Sequence, residues 1–523
     1  MREFNITGTC YPSKHYMVNI SQRVDTIKQK VKKGEYLTIN RGRQYGKTTT
    51  LYHLAENLRN DYLVFALSFE TFAESDYCTD EALAYSLLEA MWSEIENGIT
   101  QNADDCVKET LSNAVKANAD KREVLKTDLG QLITSLCRNS SKPIVVLIDE
   151  VDSASNYNSF IELLKLLRDK YLKREKLPTF QSVILAGVYD IKNLKLKVRP
   201  DNEHQYNSPW NIAVAFDKDM SFSKDQIAQM VSDYEADHKT GMNVDEISSL
   251  IEDYTSGYPF LVSKLCKLID ENNLGWNKEG VVKAVKILLV EKNTLFDDLV
   301  KKLEDFPEIK QILKEMLYYG KGFSFNPDNK VLNLAAMFNY ISNNNGRVKV
   351  SNRIMETRIY NLFMSEEEMT NSIYREGQVD KSQFIDGNCL KMDKILERFA
   401  VHFNDIYGDK GDKFCEDEGR RYFMLYVRPI INGTGNYYIE AQTRDLSRTD
   451  MIIDYLGTQY IIEMKIWRGN SYNERGESQL AEYLDFYHTN KGYMLSFCFN
   501  KNKPKPIAKS IKIGDKEIVE VVV

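Results

Sequence analysis

TINRGRQYGKTTTL, residues Thr38–Leu51, joins an apolar strand (GEYLTINRG) to a helix in which Leu51, Leu54 and Leu58 recur at helical spacing. A strand, a tight turn and a helix N-terminus aim backbone N–H groups and a helix dipole at one point, which suits an anion. Gly46 lets the backbone approach that anion. Lys47 has the reach for β- and γ-phosphates, and the Thr48 hydroxyl can ligate Mg²⁺. Gln44, Tyr45 and Thr49 complete the loop expected to hold the nucleotide. The match is imperfect, because Arg41 stands where the full P-loop pattern has glycine and Gly42 is displaced by one.

The context strengthens it. About a hundred residues on, IVVLIDEVD runs four or more apolar residues straight into Asp149 and Glu150. A buried strand ending in two carboxylates at the carboxyl edge of a parallel sheet is a Walker B arrangement. Asp149 would hold the Mg²⁺ shell and Glu150 would orient or activate the attacking water. DYLVFALSFE and FQSVILAGVYD read as further strands, and residues 80–137 and SFIELLKLLRDKYLKR read as helix. Strands separated by helices predict a parallel α/β sheet. An arginine to complete hydrolysis is not evident; Arg199 is the weak candidate.

Length and composition set the frame. At ~100–200 residues per domain, 523 residues predict three or four domains. Hydrophobic content of 43% and charged content of 28% are those of an ordinary globular chain. A net charge of −7 argues against a polyanion binder by bulk charge, though not against a local basic groove. Eight scattered cysteines without a CxxC pair read as reduced cytosolic thiols. No leader-like or membrane-spanning run is seen, so a cytoplasmic protein without membrane contact is expected.

TINRGRQYGKTTTL, VVLIDEVD and the later SGYPFLVSKLC resemble prokaryotic AAA-like, STAND-type ATPases over roughly residues 10–360. The resemblance implies a P-loop ATPase whose lid contains a G-x-P turn, matched by Gly257 and Pro259. GKGFSFNPDNKVLNLAAMFNYISNNNGRVKVSNRIMETRIY resembles a winged-helix element, which in other proteins binds DNA or partners or simply packs. The expected division is an ATPase domain at 1–235, a helical lid and winged-helix-like region at 236–400, and a distinct α/β domain at 401–523.

The last domain turns on RTDMIIDYLGTQYIIEMKIW, Arg448–Trp467. Its second strand is apolar on both faces, yet carries Glu463 and Lys465. In a strand, i and i+2 share a face. A two-residue turn at Gly457–Thr458 would bring Asp450 opposite residues 463–465. Two carboxylates so placed repel unless a cation lies between them. Mg²⁺ or Mn²⁺ resolves the conflict with Asp450 and Glu463 as hard oxygen ligands, and Lys465 would orient the metal-activated water.

This constellation resembles the PD-(D/E)xK nuclease fold over about residues 400–500. SQLAEYLDFYH places Gln479 and Tyr483 at i, i+4, matching the Gln-x-x-x-Tyr pair that many members carry near substrate phosphates. In CEDEGRRYFMLYVRP, Glu418 would add a metal ligand, with Glu416 the alternative; Glu440 reads as structural. The resemblance implies a nuclease acting on foreign or mobile-element nucleic acid, gated by ATP. A regulatory ATPase switch whose last domain binds nucleic acid or protein without cutting remains the alternative, and a nucleotide-binding scaffold that never turns over the third. Lys501–Lys516 is a local basic stretch or a solvated strand edge. Self-association into a homo-oligomer stays open.

Overall fold

Apolar runs bounded by turns become the strands of a parallel sheet near the N-terminus. The computed structural model describes residues 2–188, 209–216, 219–319, 321–368, 370–407, 414–431, 435–438, 451–456, 458–466, 477–478, 480–481, 483–485, 489–499 and 505–523. The chain divides into two units, Met1–Ala284 with Leu334–Asn339, and Val285–Asn333 with Tyr340–Val523. The boundaries expected at 236 and 401 fall inside these units.

The first unit holds β1 (Leu37–Asn40), β2 (Leu63–Ser68), β3 (Ile144–Asp149), β4 (Ser182–Gly187) and β5 (Val214–Ala215), all parallel, in the order β2-β3-β4-β1-β5. Pairing of Asn40 with Gly187 and of Ser68 with Asp149 aligns the carboxyl ends of four strands on one edge. The loop after β1 and the carboxylates after β3 therefore open on the same side. Every residue of β3 is buried, as its continuous apolar run predicts. Helix Lys47–Leu58 joins β1 to β2, helices Asp80–Glu96, Asp105–Asn118 and Lys126–Asn139 lie between β2 and β3, and Asn158–Leu172 lies between β3 and β4; Leu51, Leu54 and Leu58 are buried as their spacing implies. Strand β5 is an addition to the sequence reading; at two residues it carries no periodicity to detect.

Three helices follow, Lys224–His238, Val244–Thr255 and Pro259–Glu271. The first starts on a capping box of Ser223 and Gln226. The third has Pro259 in its first turn, where a missing N–H costs nothing.

In the second unit, β6 (Ile341–Asn344) and β7 (Arg347–Val350) form a hairpin closed by Asn345 and Gly346, both at positive φ (50° and 84°). That is the residue pair such a turn selects. Helix Arg353–Glu368 follows it. After β8 (Ile385–Asp386) and β9 (Cys389–Leu390), helices Met392–Tyr407 and Glu416–Ile431 lead into a mixed sheet. This sheet contains β10 (Gly435–Tyr438), β11 (Met451–Tyr455), β12 (Thr458–Ile466), β13 (Lys491–Phe497), β14 (Lys509–Ile513) and β15 (Lys516–Val522), in the order β10-β11-β12-β13-β15-β14. β12 lies between an antiparallel β11 and a parallel β13. Ile452, Ile461, Met494 and Ile518 pack with Leu480, Ala481 and Leu484. Phe399, Phe403 and Phe414 pack against Phe497. Helix Glu416–Ile431 lies so close to β13 that a Cβ on Gly419 would sit 2.4 Å from the Phe497 ring.

All eight cysteines are free of disulfides. Among the described residues no helix is long and apolar enough to cross a membrane.

Candidate functional site

The turn after β1 reverses sharply. Gln44 and Gly46 take positive φ (57° and 77°), and Gly46 caps the helix that begins at Lys47. At Gly46 the left-handed backbone favours glycine. Gly42 packs closely as well: a Cβ there would lie 3.4 Å from the Met337 carbonyl oxygen, at the edge of ordinary contact. Tyr258 OH donates to the Arg43 carbonyl at 2.5 Å. Tyr45 is buried, its hydroxyl 2.8 Å from Ser221 Oγ and 3.4 Å from Asn339 Oδ1. Thr49 Oγ1 accepts from the Cys10 N–H at 3.2 Å, which ties the N-terminal segment to the loop.

Thr48 Oγ1 donates to Asp149 Oδ2 at 2.5 Å, so the two groups expected to share a Mg²⁺ shell are adjacent. Asp149 Oδ1 accepts from the Glu150 N–H at 2.9 Å, with Glu150 at φ 52°. Lys47 is buried and donates to the Arg41 and Gly42 carbonyls, both at 3.1 Å. Burial lowers the Lys47 pKa, against the raising influence of Glu150 and Asp149. Burial raises the Glu150 carboxyl; Lys47 opposes this, and Asp149 and Asp152 add to it. Cation and carboxylates thus face each other in a partly dry recess, where charges act strongly on one another.

Lys47, Thr48, Thr49 and Glu150 border a cavity of about 250 Å³ whose other walls include Ile6, Val18, Phe222 and Phe260. Gln44, Tyr45 and Gly46 also line it. A polar, cationic floor beneath apolar walls fits a phosphorylated ligand with a flat ring. Pro259 of the expected lid turn reaches the same cavity. The N-terminal wall, Arg23 and Phe222 were not legible in the sequence, because they are ordinary residues far from the motif. Gly187, at the end of β4, leaves little room for a side chain: a Cβ there would lie 2.9 Å from Val151 Cγ2 and 3.1 Å from the Asp152 carboxylate oxygens. Arg199 lies outside the described residues.

In the second unit, Glu463 is fully buried on β12 and Lys465 Nζ lies 2.7 Å from its Oε1. The shared face read from the sequence is present. The turn is not where it was placed: Tyr455 pairs with Thr458, so the hairpin closes one residue earlier than expected, with Leu456 at φ 50°. Each β11 residue consequently faces a β12 residue two positions earlier than expected, and an even shift preserves the faces. Asp450, Gln479, Glu440 and Gly457 lie outside the described residues. Tyr483 is buried. Glu418 accepts from Tyr422 OH at 3.4 Å, whereas the Glu416 carboxylate reaches β12, accepting from the Ile466 N–H at 3.0 Å. Among the described residues no three His, Cys, Asp or Glu side chains gather into a metal-binding group. Of the basic stretch, 501–504 lie outside the described residues, and β14 forms the sheet edge with Lys509 exposed.

Comparison with curated proteins finds no match. Among solved structures, the Walker-type ATPase PABY2304 of Pyrococcus abyssi is 14% identical, covering 68% of this chain and 99% of its own, with a TM-score of 0.48. The Aeropyrum pernix ORC2 protein, solved in ADPNP-ADP complexes, is 11% identical over 69% of this chain and 96% of its own, TM-score 0.38. The RuvB Holliday junction branch migration motor of Thermotoga maritima is 11% identical over 63% and 92%, TM-score 0.31. At these values they carry no argument about activity. The AAA-like domain family matches residues 8–355, two thirds of the sequence, and the chain belongs to that family.

Proposed function

We propose that the first unit binds ATP with Mg²⁺ and hydrolyses it. The observation that carries this reading is the Thr48–Asp149 hydrogen bond at 2.5 Å, with Glu150 next in the chain and all three at the carboxyl edge of a parallel sheet. The triphosphate would lie on the N-terminal amides of helix Lys47–Leu58. Lys47 would leave the Arg41 and Gly42 carbonyls for the phosphate oxygens. Thr48 and Asp149 would hold Mg²⁺, which offsets charge on the transferring phosphoryl group. Glu150, its proton affinity raised by burial, would take the proton of the attacking water.

For the second unit we propose metal-dependent cleavage of nucleic acid. Glu463 and Asp450 would hold Mg²⁺ or Mn²⁺, joined by Glu418 or Glu416. Lys465 would position water, and Gln479 and Tyr483 would contact the substrate. What supports this is a fully buried carboxylate and a lysine two residues apart on an interior strand, where a sheet core normally tolerates neither. One observation favours the second reading, a switch whose last domain binds without cutting: Glu463 and Lys465 neutralise each other at 2.7 Å, as a purely structural pair would. The proposal places the protein in the cytoplasm, acting on foreign or mobile-element nucleic acid.

The test uses labelled single- and double-stranded DNA and RNA with Mn²⁺ or Mg²⁺, with and without ATP, beside Lys465→Ala. Metal-dependent cleavage lost in the variant supports the nuclease. A folded wild type that hydrolyses ATP but cuts nothing leaves the switch.

A further inference from the structure

Arg23 sits on helix Ser21–Lys32 and lines the same cavity as Lys47 and Glu150. Its guanidinium donates to the Met220 carbonyl at 2.8 Å and to Thr50 Oγ1 at 3.5 Å. Both acceptors are neutral. Among the described residues no carboxylate forms an ion pair with it; Asp219 acts on it only from a distance. A half-buried arginine normally sits against a carboxylate, because stripping water from a cation without compensation is costly. Here burial pulls the pKa down to about 10, which still leaves the group charged at neutral pH. A planar fork of donors, only partly used, thus borders a cavity whose floor is a helix N-terminus.

The position is informative. Thr50 lies in the first turn of helix Lys47–Leu58, two residues past Thr48. Thr50 Oγ1 itself donates to the Gly46 carbonyl at 2.8 Å, so Arg23 is anchored beside the loop. Lys47 reaches back to Arg41 and Gly42 on the other side of that turn.

We propose that Arg23 is a second cation of the nucleotide site, engaging a phosphate common to nucleoside di- and triphosphates while Lys47 serves the terminal ones. This rests on the nucleotide-binding reading of the pocket. In the apo protein Met220 and Thr50 park the guanidinium; an anion completes its coordination. Arg23 then contributes to holding ADP as well as ATP, and the site favours phosphorylated ligands over a bare nucleoside.

The test is calorimetric titration of the full chain with ATP, ADP and adenosine in Mg²⁺, for wild type, Arg23→Gln and Arg23→Lys. Arg23→Gln should weaken ADP and ATP alike by roughly tenfold or more, the scale of a charge-assisted hydrogen bond, and leave adenosine unchanged. Arg23→Lys, which keeps the charge and loses the fork, should fall between. The melting temperature without nucleotide should not drop in Arg23→Gln, since an uncompensated charge is removed; a purely structural strut predicts a drop. Wild-type affinity for ADP in Arg23→Gln, or an equal loss for adenosine, overturns the proposal while the nucleotide site stands. A wild type that binds no nucleotide overturns both. Should Arg23→Gln not fold, ADP binding by Arg23→Lys indistinguishable from wild type overturns it as well.

Discussion

Thr48 Oγ1 rests 2.5 Å from Asp149 Oδ2, bringing together residues 101 apart in the sequence. The contact forms because the strand before the loop and the strand ending in Asp149 run parallel and finish on the same edge. If this pair is the protein's share of a Mg²⁺ shell, Asp149→Asn should keep ATP affinity within a few-fold in EDTA but lose the gain that Mg²⁺ gives the wild type. Titration of a fluorescent ATP analogue with and without Mg²⁺ checks this. An unchanged Mg²⁺ effect would remove Asp149 from the metal shell.

Gly257 binds the lid to the pocket through its backbone. It has φ 70°, and a Cβ would lie 2.0 Å from the Phe222 carbonyl oxygen. Gly257→Ala therefore combines a left-handed strain with a backbone clash. It should cost about 3 kcal/mol or more in urea unfolding of the first unit. Because Phe222 and Pro259 line the cavity, ATP affinity should fall with it. A stable variant with normal affinity would show that the turn is dispensable.

The motifs that were legible share one property: their chemistry follows from residues close in sequence. The strand-loop-helix at Gly46–Thr48 and the apolar run into Asp149 each read locally. The face shared by Glu463 and Lys465 needed only the strand period. What escaped needed three dimensions. Strand β5 is two residues long, and the cavity walls at Ile6, Val18 and Arg23 belong to no pattern. The hairpin register slipped because Leu456, a poor left-handed residue, takes φ 50° in the turn in place of Thr458. Side-chain preferences favoured the neighbouring Gly-Thr pair, and the observed register runs against them.

Glu463 and Lys465 make a sharp stability prediction whatever their chemistry. Glu463 is fully buried, so removing Lys465 withdraws a counter-charge 2.7 Å from a carboxylate inside the sheet. Lys465→Met alone should destabilise the second unit by about 3–5 kcal/mol, while Glu463→Gln with Lys465→Met should recover most of the loss. Urea unfolding of the four proteins in the cycle measures the coupling. Additive single effects would mean that the 2.7 Å contact contributes nothing.

Asp380 is nearly inaccessible, and its contacts predict an acid-sensitive contribution to the second unit's stability. Its Oδ2 accepts from Tyr426 OH at 2.7 Å, lies 2.8 Å from His402 Nε2, and is 3.4 Å from Arg398 Nε. Burial pushes its pKa up, but the hydrogen bonds from Tyr426 and His402 and the charge of Arg398 outweigh that, and the net shift is downward. A depressed folded pKa stabilises above the ordinary carboxylate range, and the contribution is lost as pH falls through the folded value. Asp380→Asn should thus be about 2–4 kcal/mol less stable than wild type near neutrality. The gap should narrow below about pH 4. Denaturant midpoints across pH test it; a gap that does not change with pH would contradict the assignment.

The central claim is that the first unit turns over ATP with Glu150 as the base. The most direct measurement is phosphate release by the full chain at saturating ATP and Mg²⁺, beside Glu150→Gln, with ATP binding measured on both. The account predicts steady release by the wild type, a loss of about a hundredfold or more in Glu150→Gln, and ATP affinity within a few-fold of wild type. A Glu150→Gln protein that releases phosphate at the wild-type rate, or a wild type that binds ATP and releases none, would contradict it.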